Sequence, residues 1–265
     1  MPPARIVFWA ATVAGIGLTA RSVLAEPPPL PIAAVGAAFY VGLLLCGVFV
    51  LRLRMFTDAV VRGPSDATGV VLTFDDGPDP VHTREVLDTL DTYEAKATFF
   101  VIGRKAEEHR DVVEEIVRRG HEVGVHGFAH DRLFSLRGSR RVKDDLERAI
   151  RVLENITGKT PLLFRPPIGH TNPTIARIAD QLDLTVIGWS VGARDGLART
   201  KPDDVVARVS RGLQDGAIVL LHDAAEHGTR KPAGVTALPA ILEKIAAQNL
   251  RVVPLSTWLE KDGQS

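Results

Sequence analysis

The chain opens on two long apolar stretches and then changes to short apolar runs separated by amphipathic segments. Ile6 to Ala20 carries no charge, Arg21 interrupts it, and Glu26-Pro-Pro-Pro-Leu-Pro31 follows. Ile32 to Leu51 is then twenty uncharged residues; at ~1.5 Å rise per residue this matches the roughly 30 Å hydrocarbon core of a bilayer. A membrane span over 32–51 is predicted. The first stretch is shorter and admits three readings: a span extended past Arg21, an interfacial segment, or a signal peptide ending at Val23-Leu-Ala25. A second apolar twenty-mer directly after a cleaved signal is uncommon, so a helical hairpin is preferred. Residues 1–62 are read as an anchor, with spans near 6–25 and 32–51.

Beyond it, strand-like runs occur at Val70 to Phe74, Ala97 to Ile102, Glu122 to Val125, Leu162 to Phe164, Leu184 to Trp189, Ala217 to Leu221 and Arg251 to Pro254. Segments of helical period lie between them. The stretch from Asp144 onward and Val235 to Ala247 are amphipathic and read as sheet-covering helices. The alternation predicts an α/β class domain with a parallel sheet over 66–260.

Chemistry enters at the end of the first run, where Asp75 and Asp76 stand before Gly77-Pro78. Two adjacent carboxylates repel, and a buried unpaired one is costly, so such a pair persists where a cation or a proton-transfer task compensates it. A solvated strand-to-turn corner would use the same residue types. His126 and His130 shift the balance. Four residues apart, they would fall on one face of a helical turn and reach one divalent ion, with a carboxylate as third ligand and a place left for water. A His-Glu-x-x-His protease site is excluded, because Gly127 stands where that motif needs glutamate. His121, after Arg118-Arg119-Gly120, is read as structural.

Two further runs end on polar groups. Phe164-Arg165-Pro166-Pro167 places a guanidinium on a backbone stiffened by two prolines, where it can orient a carboxylate base and hold it ionised; a surface arginine in a turn is the plain alternative. Ile218-Val-Leu-Leu-His222-Asp223 ends an apolar strand on an imidazole, whose unperturbed pKa of about 6.5 suits a general acid.

In order and wording these motifs resemble the NodB-type polysaccharide deacetylase family, carbohydrate esterase family 4, from about Val70 to Leu259. The matching strings are Thr73-Phe-Asp-Asp-Gly-Pro78, His126-Gly-Phe-Ala-His130, Arg165-Pro-Pro167 and Leu221-His-Asp223. The resemblance implies that Asp76, His126 and His130 bind a divalent metal, usually zinc, with Asp75 as base, Arg165 orienting it and His222 protonating the leaving amine. It implies that the backbone N–H of Ile168 helps hold the oxyanion. Trp189, opening the segment Trp189-Ser-Val-Gly-Ala-Arg-Asp195-Gly196, is carried over as a substrate contact, and Asp195 as the partner that orients His222. Every one of these residues lies at or just after the end of an apolar run, where parallel barrels gather catalytic groups. The resemblance sharpens the fold to a distorted, partly open (β/α) barrel of about seven strands.

Three positions depart from the family pattern. Asp131 replaces the proline after the second histidine, Ile168 replaces a frequent tyrosine, and Gly196 replaces a tryptophan that walls the acetyl group. The backbone donor at 168 survives its change. Hydrolysis is therefore better specified than the acyl group removed. The resemblance implies removal of N-acetyl groups from a glycan, an oligosaccharide or a lipid-linked amino sugar. The open alternatives are the same centre acting on O-acetyl esters or another amide, and a catalytically silent carbohydrate-binding scaffold.

Composition sets bounds. The 32 basic and 32 acidic residues balance, and a pI of about 7.1 gives no field for nucleic acid. The one cysteine, Cys46, lies in the second apolar stretch, so no intrachain disulfide forms. Arg5, Arg52, Arg54 and Arg62 flank the outer ends of the apolar pair, against Arg21 between them. By the positive-inside rule this bias places the domain on the cytoplasmic face of the cell membrane, with the lipid bilayer as a partner. Relatives that act outside on cell-wall glycans argue for the opposite face.

Overall fold

In the computed structural model, which describes residues 1–259 and so leaves Glu260 of the expected domain outside, the sheet grows from its most apolar strand. Strand β1 (Val70–Asp75) is buried at all six positions, as a strand covered on both faces in a parallel sheet must be. It lies between β2 (Thr98–Val101) and β7 (Ala217–His222); β3 (Glu122–Val125), β4 (Leu163–Phe164) and β5 (Thr185–Val186) extend one side, and β6 (Val191–Gly192) the other. The order is β5-β4-β3-β2-β1-β7-β6, all parallel, a half-barrel.

Period-two alternation divides the labour of β1. Val70, Leu72 and Phe74 pack in the larger core under the helices. Val71 joins Phe100, Ile187, Ile218 and Trp258 in the smaller barrel core, and Thr73 and Asp75 share its side of the strand. Covering the outside are α3 (His82–Thr92), α4 (Gly103–Glu108), α5 (Arg110–Arg118), α6 (Ser139–Thr157), α7 (Pro173–Gln181), α8 (Pro202–Gly212) and α9 (Ala233–Ala247). Helix α6 buries Val142, Leu146, Ala149, Val152 and Leu153, a single stripe of helical spacing. It and α9 cover the sheet as their periodicity predicts.

One expected strand is corrected. Arg251 to Pro254 makes only a bridge from Val252 to Val70, because β2 takes that edge of β1 from Thr73 upward and Pro254 has no N–H to continue the ladder. The seventh strand is instead Val191–Gly192, which the pattern did not separate from Leu184 to Trp189. That run is cut short where Val60 pairs with Ile187 and Gly188, whose added Cβ would come within 2.8 Å of Val61.

Helices α1 (Pro3–Leu24) and α2 (Leu30–Phe49) form an antiparallel hairpin, each long and apolar enough to cross a membrane. Thr12 Oγ1 lies 3.0 Å from Tyr40 Oη, and the Phe8 ring stacks on Tyr40. Arg5 donates to the carbonyls of Met55 and Arg54 and pairs with Asp58, joining the start of α1 to the chain beyond α2. Leu51 and Ala59 are buried in the larger core, and Met55 is buried beside Gly47 of α2.

Candidate metal centre and catalytic cleft

Strand register brings the predicted groups together. Asp75 is the register partner of His222 across β1 and β7. Val125 pairs with Phe164, which sets His126 beside Arg165: His126 Nδ1 donates to the Arg165 carbonyl at 2.8 Å. That bond leaves Nε2 with its lone pair facing the cleft.

The histidine pair is not on a helical turn, as its spacing suggested. The chain leaves β3 and turns at Gly127 (φ +75) and His130 (φ 52), and it is pinned from outside by Asp145 of α6. Asp145 accepts the Phe128 N–H at 2.7 Å and the Ala129 N–H at 3.2 Å. Both imidazoles still converge on Asp76, whose Oδ1 lies 3.6 Å from His126 Nε2 and 3.2 Å from His130 Nε2. Tetrahedral zinc with ligands at ~2.0–2.1 Å sets neighbouring donors ~3.4 Å apart. All three residues are buried, and Asp76 Oδ1 has no hydrogen-bond partner. Such a cost is expected where a cation completes the site. Burial pushes the His126 imidazole down to about 4, keeping it neutral and able to ligate. These residues fit a divalent metal.

Asp75 Oδ1 accepts from Arg165 Nη1 at 2.7 Å. Arg165, fully buried, also donates to Thr73 Oγ1 (2.8 Å) and to the carbonyls of Ile187 (3.2 Å) and Gly188 (2.9 Å), with its guanidinium 4.2 Å above the Phe100 ring. Burial works against its charge, and Asp75 opposes that effect. Thus Arg165 is no surface arginine.

His222 Nδ1 lies 2.9 Å from Asp195 Oδ1, while Asp195 Oδ2 accepts the His222 backbone N–H at 2.8 Å. Burial alone would lower this imidazole; the charge and hydrogen bond of Asp195, with Asp76 and Asp75, carry it up to about 9. Gly234 makes room for the carboxylate, since a Cβ there would lie 2.1 Å from Asp195 Oδ2.

The cleft encloses about 520 Å³ and is lined by the metal-centre residues, Asp75 and His222, with Ile168, Trp189, Leu197 and Leu220 among its apolar walls. A volume of roughly 300–1,000 Å³ is usual for a small-ligand site. Ile168 turns at φ 51, a conformation costly for a β-branched residue. Gly169 beside it lets Trp189 lie on bare backbone, 2.4 Å from where a Cβ would be. Gly196 rests against the His222 ring, and Leu197 supplies apolar surface next to it. His121 is structural as expected: its Nδ1 accepts the Ala97 N–H, and burial pushes it down to about 4.

Four supporting side chains were not singled out from the sequence. Lys105 Nζ donates to the carbonyls of Asp76 and Ala225, both at 2.7 Å, tying the β1 and β7 loops together. Asp223, pushed by burial up to about 7, accepts from Thr83 at 2.5 Å. Glu226, pulled down to about 2 chiefly by its hydrogen bond from Arg132, lies 3.1 Å from His130 Nδ1, though unaligned for a hydrogen bond. Asp145 is the fourth. Only Asp223, inside a motif string, carried any local signal.

A parallel half-barrel with a buried Asp-His-His cluster and a second, arginine-bound carboxylate at its C-terminal rim has the make-up of a hydrolase site. The family model described as polysaccharide deacetylase matches residues 62–187. A peptidoglycan-N-acetylglucosamine deacetylase of Bacillus cereus is 35% identical over 199 residues, covering 74% of this chain and 90% of that one. A peptidoglycan-N-acetylmuramic acid deacetylase of Bacillus subtilis is 32% identical over 71% of this chain, which matches only 38% of its length. Among solved structures, a CE4-family pseudoenzyme from Bacillus anthracis superposes with a TM-score of 0.69 at 28% identity, covering 78% of this chain and 71% of that one. The chain belongs to the polysaccharide deacetylase family, also known as carbohydrate esterase family 4.

Proposed function

We propose that this chain is a membrane-anchored, metal-dependent deacetylase that removes N-acetyl groups from a glycan or glycolipid. The observation that carries this reading is the convergence of Asp75, His222 and the Asp76-His126-His130 cluster on one cleft. Relatives named for deacetylation of peptidoglycan amino sugars support the substrate class. Asp76, His126 and His130 would hold a divalent ion, zinc by their donor chemistry, and that ion would supply Lewis acidity toward the acetamide carbonyl and the attacking water. Asp75, oriented by Arg165, takes the proton of that water. The Ile168 backbone N–H is assigned to the developing oxyanion, and Trp189 to the wall beside the acetyl group. His222, oriented by Asp195, gives its proton to the departing nitrogen. The C–N bond breaks, and acetate and a free amine leave.

Purified full-length protein is expected to hold about one metal ion per chain and to release acetate from an N-acetylated oligosaccharide, a reaction lost on chelation and restored by zinc. Metal-free protein that binds the sugar without turnover would favour the silent scaffold; the B. anthracis relative is itself named a pseudoenzyme. An O-acetylated substrate run in parallel separates amide from ester preference.

The acid role has a pH signature. A histidine held near 9 is protonated at neutral pH and loses its donor proton as pH rises. Asp195→Asn removes the charge that raises it, so the alkaline limb of the kcat/KM profile should move down by about 1 pH unit or more. An unmoved limb would take the Asp195–His222 pair out of the rate profile.

The domain is assigned to the cytoplasmic face, from the arginines flanking the hairpin. Arg5, bound to the segment after α2, favours both ends of the hairpin on one side. A reporter fused after Ser265 that works only when exported should stay silent; activity would place the cleft outside.

A further inference from the structure

No free linker joins α2 to the domain. The Val48 carbonyl accepts the Thr171 N–H at 3.1 Å, and Phe49 meets His170 edge-on with ring centroids 4.6 Å apart. Leu51, two residues further, is 5% exposed within the main core. His170 follows Ile168 by two residues, and Ile168 lines the cleft. Two residues reach at most ~7 Å, while the headgroup region beyond each side of the hydrocarbon core is roughly 5–8 Å deep. A cleft wall is therefore fixed within a headgroup's depth of the span's end.

The same rim is apolar where a water-facing mouth would be polar. Asn172 Nδ2 donates to the Ser135 carbonyl at 2.5 Å, fastening the 131–137 loop to the one bound to α2. That loop exposes Leu133 at 52% and Leu136 at 76%, while Ile168 is 43% exposed. Arg132, Arg194 and Arg230 line the mouth, and beyond the centre's own carboxylates only Glu226, already paired with Arg132, offsets them. The exposed Arg194 guanidinium makes no hydrogen bond or ion pair among the described residues. Apolar side chains interleaved with cations suit the boundary of a bilayer, and an unpartnered guanidinium at the mouth suits a phosphate.

Resting on the deacetylase reading and on the hairpin as a membrane anchor, we propose that the substrate is an N-acetylated amino sugar carried through a phosphate on a membrane lipid. It is processed at the bilayer surface, with Arg194 meeting the phosphate. The span then places the catalytic groups as well as retaining them.

The test uses the zinc-loaded full chain in vesicles of phosphatidylethanolamine and phosphatidylglycerol, with acetate release as readout. Three probes are compared: N-acetylglucosamine on a lipid diphosphate in the same vesicles, the same sugar on a water-soluble nucleotide diphosphate, and a neutral N-acetylated oligosaccharide. Expected is a kcat/KM about 100-fold higher for the lipid-borne sugar, the scale of gain when a reaction is confined to one surface. A Gly-Ser insertion of about fifteen residues between Gly47 and Val48, with a reach of roughly 20 Å, combined with Arg5→Ala to release α1, leaves the Val48 and Phe49 contacts with the domain and should erase most of that preference while the oligosaccharide rate holds. Arg194→Ala should raise KM more for the two phosphate-bearing probes than for the oligosaccharide. An oligosaccharide turned over as well as the lipid-borne sugar, a nucleotide sugar preferred to it, or a preference that survives the insertion overturns the proposal and leaves the deacetylase reading standing. No acetate from any probe overturns both.

Discussion

Asp75→Asn should lower kcat by about 10³-fold or more, the usual scale for losing a positioned general base, while metal content stays near that of the parent. The amide oxygen introduced by this substitution can still accept from Arg165, and Asp76, His126 and His130 are untouched, so the loss isolates proton removal from metal capture. The check is single-turnover acetate release alongside metal analysis on the same preparation. Substantial activity in the Asp75→Asn variant would assign the base elsewhere, and His222 would be the next group to examine.

Arg165→Met should be the most destabilising single change at the site. It deletes four hydrogen bonds made inside the barrel and strands the buried Asp75 carboxylate without its cation. Removing one partner of a buried pair costs about 3–5 kcal/mol, which for a domain of this size lowers Tm by about 10 °C. The double variant Asp75→Leu with Arg165→Met should recover part of that stability and none of the activity, since an apolar pair of similar volume avoids the stranded charge. Thermal unfolding of the three proteins decides the matter. A Tm for Arg165→Met equal to the parent's would mean that Asp75 is already satisfied by water from the cleft.

The fold was legible in the sequence wherever burial on both faces forces an unbroken apolar run. Val70 to Phe74 and Ala217 to Leu221 are such runs, and their register then carries Asp75 to His222 with no further information. The short outer strands were less legible, because Val191–Gly192 is defined by what it pairs with and not by its own two residues. At the centre, the His126 and His130 spacing announced a shared target but not the route. Residue spacing alone does not separate a helical turn from a loop bent by left-handed residues at 127 and 130. Lys105, on α4, Asp145, on α6, and Glu226 were illegible for a simple reason: each meets the site only through a contact with another element or loop that the fold brings beside it.

Gly234 carries no chemistry, yet a methyl group there would land on the Asp195 carboxylate, and one at Gly77 would land 2.3 Å from Asp223. Catalytic competence in this architecture thus depends on places left empty as much as on reactive atoms. A descendant could keep every acid, base and ligand and still fall silent through one added carbon. An inventory of motifs would go on counting it among the living enzymes.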